Sequence, residues 1–287
     1  THIPNHIFCQ LIRVTEYIRK YSFIPKTLDY MDCLSAGMKR RHQLSSGVFS
    51  LIYGLEEKRL KKYETEIANE FENLIAITNQ DKQELELSKH INILSNGIDV
   101  GYYSPTIKPK PTYDIVFVGN MSYEPNIQCA KYISEQILPL IKRSNPTVKI
   151  LICGANPSKK VLALHGDNIT VTGWVDDIRE AYSNGKIFLA PLHLGSGLQN
   201  KLLEAMSMGL PCITSHLANG ALNAKQGKEI LLAKTNKEYA DHILSLLKNK
   251  DLYNLVASSG QKYVQSHYSW IETGDQLNTL LQNTKYP

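Results

Sequence analysis

The chain is poor in the features that would assign it to a membrane-spanning, redox or phosphate-loop class, and each absence excludes something. No apolar stretch approaches the roughly 20 residues a helix needs to span a bilayer. No Gly-x-Gly-x-x-Gly follows a strand-like run and no Gly-x-x-x-x-Gly-Lys-Ser/Thr occurs, so the dinucleotide fingerprint and the phosphate loop are both absent. The five cysteines, Cys9, Cys33, Cys129, Cys153 and Cys212, are odd in number and widely spaced, with no Cys-x-x-Cys pair. They read as buried free thiols in a reducing compartment, and without a His/Cys cluster no metal site is expected. Net charge is small as well: +5 over 287 residues, with no dense Lys/Arg block. That gives nucleic-acid binding no support, while a mild basic bias suits anionic substrates or an acidic membrane nearby. With 43% hydrophobic and 21% charged residues the chain is an ordinary globular one, long enough for two cores and not disordered. A cytoplasmic protein is the expectation.

What is present begins with a strand–helix rhythm. Apolar runs at 115–118, 148–153, 169–171, 187–190 and 212–214 alternate with helix-like segments starting near Pro125, Pro157, Asp176 and Leu198. Such alternation predicts a parallel, doubly wound α/β sheet with its ligand at the carboxyl ends of the strands. Residues 105–111 hold three prolines and two lysines and read as a linker. Upstream of it, 7–20 reads as a helix, 25–32 as a strand closed by Asp29 and Asp32, and 33–42 as a basic helix or loop. A long charged surface helix over 51–71 and strands at 74–78 and 91–94 follow. Asp29 and Asp32 either face a ligand crevice, order Arg13, or cap the next helix. Beyond residue 237 three helices complete the chain.

The densest signal is Gly195-Ser196-Gly197-Leu198-Gln199-Asn200-Lys201, followed by Glu204 and closed by Gly209. Gly195 and Gly197 allow close backbone approach, and the free N–H groups of a helix opened by Leu198 suit an anion. Lys201, one turn inside that helix, opposes the dipole unless it reaches an anion or a carboxylate. Glu204, on a neighbouring face, can accept hydrogen bonds from hydroxyls, while Leu198, Leu202 and Met206 mark the buried side. A second reading stays open, in which Lys201 and Glu204 form an i,i+3 surface pair and the glycines serve only the bend.

Pro191-Leu192, Gly195-Ser196-Gly197, Gln199-Asn200-Lys201, Glu204-Ala205-Met206 and Gly209-Leu210-Pro211 occur in an order that resembles a family 4 glycosyltransferase of the GT-B fold. The likeness is greatest to the branch that makes bacterial capsule, exopolysaccharide or lipopolysaccharide. Asn96-Gly97-Ile98-Asp99, Phe117-Val118-Gly119-Asn120, Gly173-Trp174-Val175-Asp176-Asp177 and Tyr268-Ser269-Trp270 extend it over nearly the whole chain.

The resemblance implies two Rossmann-like domains. The first, 1–108, would be an incomplete acceptor-side domain from which roughly the first third of the protein is missing; 109–268 would bind the donor, and 269–287 would be a helix crossing back. It implies transfer, with retention, from a UDP-sugar or GDP-sugar to a glycan or lipid-linked acceptor, with no metal. It also implies peripheral contact with the inner face of the membrane through the missing N-terminal part, and an inactive fragment. Lys201 would neutralise the diphosphate and Glu204 hold the ribose, these two being the catalytic candidates. Gly119, Asn120, Gly195, Ser196, Gly197 and Asn200 would line the donor, and Trp174 and Val175 the base. Two departures stand out: Asn120 and Pro125 occupy the places of a usual arginine–lysine clamp, and the earlier of two paired glutamates falls on Ser196. A sugar-nucleotide 2-epimerase of the same fold and a non-catalytic sugar-nucleotide-binding protein are the competing readings.

Overall fold

The computed structural model describes residues 4–105, 111–193 and 197–284. Most of the expected linker, together with Gly195 and Ser196, therefore lies outside the described residues. The chain divides into two compact units, Thr1–Asn96 with Ile271–Pro287, and Gly97–Trp270.

The first unit is built on four parallel strands in the order β1-β2-β3-β4, namely β1 Ile7–Gln10, β2 Lys26–Asp29, β3 Asn73–Ala76 and β4 Ile91–Ile93. Every residue of β2 is buried, as expected of a parallel strand covered on both faces. Helices Leu34–Leu44, Gly47–Ala68 and Asn79–Leu85 cover it, and Leu28, Ile67, Phe71, Leu74 and Leu85 form the core. The expected helix at 7–20 is instead β1 followed by a short 3-10 helix, Ile12–Tyr17. Leu11, at φ 72°, breaks the segment, and pairing of Ile7 to Gln10 with β2 decides what a short apolar run leaves ambiguous.

The second unit has six parallel strands: β5 Tyr113–Val118, β6 Ile150–Cys153, β7 Ile169–Val171, β8 Gly185–Ala190, β9 Cys212–Ser215 and β10 Leu231–Ala233. Their order, β10-β9-β8-β5-β6-β7, is that of a doubly wound sheet. The chain starts in the middle at β5, winds outward through β6 and β7, then returns to β8 and winds the other way. The strand order reverses between β5 and β8, where the crossovers leave to opposite faces and open a crevice at the carboxyl edge. The loops that carry Gly119 and Gly197 follow these two strands. β10 is the strand of this unit that the sequence reading leaves out.

Candidate functional site

The site grows from those two loops. After β8 the chain passes Gly197, whose φ of 82° is the left-handed conformation that glycine tolerates best, and Gln199 stays extended as the N-cap. The helix therefore runs Asn200–Ser207, about two turns, rather than starting at Leu198. Lys201 consequently sits in its first turn, closer to the free N–H groups than expected. Leu202, Leu203, Ala205 and Met206 are buried against the sheet, which leaves Lys201 and Glu204 half-buried at the crevice.

Each of these two side chains has a partner that sequence spacing could not reveal. The Lys201 ammonium donates to Asn126 Oδ1 at 2.5 Å and lies 5.6 Å from the centre of the Phe117 ring. Burial lowers its pKa, with Cys129 and Glu204 pulling it partly back. Asn126 is itself buried, and its Nδ2 donates to the Asn120 carbonyl at 2.9 Å. One amide thus joins the loop after β5 to the helix after β8. Gly119 makes room for it, since a Cβ there would lie 2.7 Å from Asn126 Nδ2. Next to it, a Cβ on Gly154 would fall 1.8 Å from the Gly119 carbonyl oxygen, so the loops after β5 and β6 touch through bare backbone.

Glu204 accepts a hydrogen bond from the buried Tyr182 hydroxyl at 2.6 Å. Burial first, and then the Glu204 carboxylate, push the Tyr182 pKa far up, so this hydroxyl stays a donor. Tyr103 is raised for the same two reasons. Glu204 forms one wall of a cavity of about 240 Å³ shared with Asp99, Tyr103, Asn200 and Trp270. That is below the roughly 300 Å³ at which whole-ligand pockets begin, room for one ring of a larger ligand. A cavity of about 540 Å³ exists in the first unit, but the ion pairs Arg40–Glu84 and Lys61–Glu86 among its walls already satisfy one another.

The remaining expected residues divide. Asn120 turns its side chain onto Ser122, accepting from the backbone N–H at 3.0 Å and from the hydroxyl at 2.8 Å, so only its carbonyl joins the network. Trp174, 75% exposed, and Val175 lie on the loop after β7, at the same edge of the sheet but two strands from β5. The following helix, Ile178–Ser183, sends Arg179 over the Tyr102 ring at 3.9 Å, and Tyr102 packs edge-on to Tyr103. Lys201 and Glu204 are each held elsewhere, and the surface pair of the second reading is not formed among the described residues. All five cysteines are free and buried, and no cluster of three metal-ligating side chains occurs among the described residues. Asn126, Tyr182, Tyr103 and Gly154 are the site residues that sequence reasoning missed.

Residues 112–249 match the family described as glycosyl transferases group 1. The chain is 22% identical over 241 residues to an uncharacterized 44.6 kDa protein in the cps region of Klebsiella pneumoniae, covering 78% of this chain and 60% of that protein. It is also 22% identical over 235 residues to a UDP-Gal:alpha-D-GlcNAc-diphosphoundecaprenol alpha-1,3-galactosyltransferase of Escherichia coli, covering 72% and 59%. Among solved structures, Anabaena HepE in complex with UDP superposes with a TM-score of 0.76 at 14% identity, over 97% of this chain and 78% of that one. This chain therefore has the two-unit, parallel-sheet GT-B fold and is related to the group 1 glycosyltransferases. It spans about three fifths of the length of these curated relatives.

Proposed function

We propose that this GT-B protein is a glycosyltransferase that takes a sugar from a UDP-sugar or GDP-sugar and passes it, with retention, to a glycan or lipid-linked acceptor in polysaccharide assembly. The observation that carries the reading is the arrangement on the helix Asn200–Ser207 at the switch point. Lys201, half-buried, is held by Asn126, while Glu204 is held by Tyr182 at the wall of a ring-sized cavity. In this reading the Lys201 ammonium and the first N–H groups of the helix neutralise the diphosphate, and they do most where charge builds on it as the sugar leaves. The backbone at Gly119, Asn120 and Gly197 lies along the phosphates, with Asn200 beside them. Glu204 accepts the ribose hydroxyls, and Trp174 and Val175 border the base. The UDP bound by HepE and the UDP-Gal donor of the Escherichia coli relative support this choice of ligand.

Titration calorimetry of the wild-type chain with UDP, GDP, uridine and inorganic phosphate tests the reading. A nucleoside diphosphate should bind more tightly than phosphate. Lys201→Ala should weaken UDP but not uridine, and Glu204→Gln should weaken both, each by on the order of 2–4 kcal/mol for a desolvated bond to a charge. Wild-type constants in both variants would sink the assignment. Because the chain spans only part of its relatives, residues 1–287 alone should transfer little or no sugar; rapid release of UDP with product formation by this chain would overturn that.

A further inference from the structure

Arg179 is held more firmly than an ion pair near the surface requires. Its Nε and Nη2 donate to the Asp177 carboxylate at 2.9 and 2.5 Å, and its Nη1 donates to the Tyr102 carbonyl at 3.3 Å. Its Cζ also lies 3.9 Å from the centre of the Tyr102 ring, so two edges and one face of the planar group are taken. Helix capping does not need this. Asp177 caps the helix Ile178–Ser183 by accepting the Arg179 backbone N–H at 2.9 Å, a bond that would survive loss of the guanidinium. Nor does the ion pair by itself stabilise much, since the two side chains keep 24% and 25% of their surface in water. What the guanidinium fixes is direction: a rigid fork bonded on two edges sets the ring stacked on it.

From Tyr102 that direction passes to the cavity wall. Tyr103 packs edge to face against it, with ring centres 5.0 Å apart and planes at 85°. The Tyr103 main chain is pinned separately: its N–H donates to the Asp99 carbonyl at 2.9 Å, and its carbonyl accepts from the Ser207 hydroxyl at 2.6 Å. Its ring is therefore what Tyr102 is left to orient. The Tyr103 side chain shares the cavity with Glu204, and burial first, then the Glu204 carboxylate, keeps its phenol protonated and able to donate. Three residues after Arg179, Tyr182 leaves the same helix and donates to Glu204 at 2.6 Å. One short helix thus governs the surroundings of Glu204 twice, directly through Tyr182 and, across Tyr102, through Tyr103.

On the reading of Glu204 as the ribose acceptor, on which this rests, we infer that Arg179 is a positioning residue of the nucleoside site: it sets Tyr103 so that the Tyr103 hydroxyl donates to the ribose oxygens whose own hydrogens Glu204 accepts. Calorimetric titration of the chain with UDP and uridine, or with GDP and guanosine if the wild type prefers them, tests it. Tyr103→Phe should weaken the nucleoside and its diphosphate equally, by about tenfold for one lost hydrogen bond, and Arg179→Ala should do the same. In the Tyr103→Phe background, Arg179→Ala should cost less than about twofold more, because both changes act through one hydroxyl. An arginine that only supported the fold would cost the same in either background. Arg179→Lys keeps a charge beside Asp177 but neither the fork nor the flat face, so it should bind as weakly as Arg179→Ala; it also decides the matter should Arg179→Ala fail to fold. Wild-type nucleoside binding by either Arg179 variant, or the full loss persisting in the Tyr103→Phe background, would overturn the inference. If Glu204→Gln weakens the nucleoside while the Arg179 variants bind as wild type, the role of Arg179 falls and that of Glu204 stands. If the wild type binds no nucleoside diphosphate more tightly than phosphate, both fall together.

Discussion

Lys201 has exchanged part of its water for one amide oxygen, and that exchange shapes what a ligand finds. Asn126 is neutral, so it orients the ammonium without cancelling its charge, and burial leaves the charge costly until an anion arrives. Replacing the amide by a carboxylate of the same shape would satisfy the lysine permanently. Asn126→Asp should therefore weaken UDP binding by about tenfold or more, roughly 1.4 kcal/mol, while leaving uridine unchanged; calorimetric constants for the two ligands check it, and an unchanged UDP constant would remove Asn126 from the site. Glu64, in the first unit, shows the opposite economy. Its buried carboxyl accepts from the Ser35 N–H at 3.0 Å and from the Ser35 hydroxyl at 2.5 Å, where the helix Leu34–Leu44 lacks a side-chain cap. Burial, partly offset by these bonds, raises its pKa. A raised carboxyl pKa means the protonated form is favoured in the folded chain. That contribution is fully present below the unfolded value of about 4.3 and is lost as pH rises through the folded one. Glu64→Gln, which keeps an acceptor and discards the charge, should raise the melting temperature at pH 7, with the advantage shrinking towards pH 4; a lower melting temperature at pH 7 would contradict it.

Among elements, the strands of the second unit are legible because buried parallel strands are continuous apolar runs, as in Ile115-Val116-Phe117-Val118 and Ile187-Phe188-Leu189-Ala190. The carboxyl edge on which Gly119, Trp174, Lys201 and Glu204 lie followed from their alternation with helices, whereas the strand order that sets the switch point appears only in the fold. The ends of the helix Asn200–Ser207 were less legible, since the left-handed Gly197 and the extended Gln199 take the first two expected positions out of it. β1 was hidden because four residues fit either period until a neighbouring strand pairs with them. The holding residues were hidden for another reason. Asn126 and Lys201 are 75 residues apart, and Tyr182 and Glu204 are 22 apart on different elements, so no local spacing joins them. Gly154 carries no motif at all; its necessity exists only where the Gly119 carbonyl comes to lie in the fold.

At the scale of the whole molecule, the second unit is not bounded by its sheet. A chain cut at Tyr113 would keep all six strands, yet the segment from Gly97 is woven into the same unit. The Ile98 N–H donates to the Tyr268 carbonyl at 2.6 Å, the Trp270 N–H returns to the Ile98 carbonyl at 3.3 Å, and the Ser207 hydroxyl donates to the Tyr103 carbonyl at 2.6 Å. Gly97 is pressed so close to Trp270 that a Cβ would lie 2.7 Å from its backbone. These contacts seat Asp99, Tyr103 and Trp270 around the cavity that Glu204 faces. Residues 97–270 expressed alone should therefore fold cooperatively and bind UDP with the constant of residues 1–287. Residues 113–265, with the strands intact but three cavity walls gone, should melt lower and bind UDP more weakly, the loss falling on the nucleoside and matching that of Glu204→Gln. Thermal denaturation and calorimetry of the two chains decide the point. If residues 113–265 bound UDP and uridine as tightly as residues 97–270, the cavity would not be the nucleoside's seat, and Glu204 would have to meet its ligand from the opposite side of the helix.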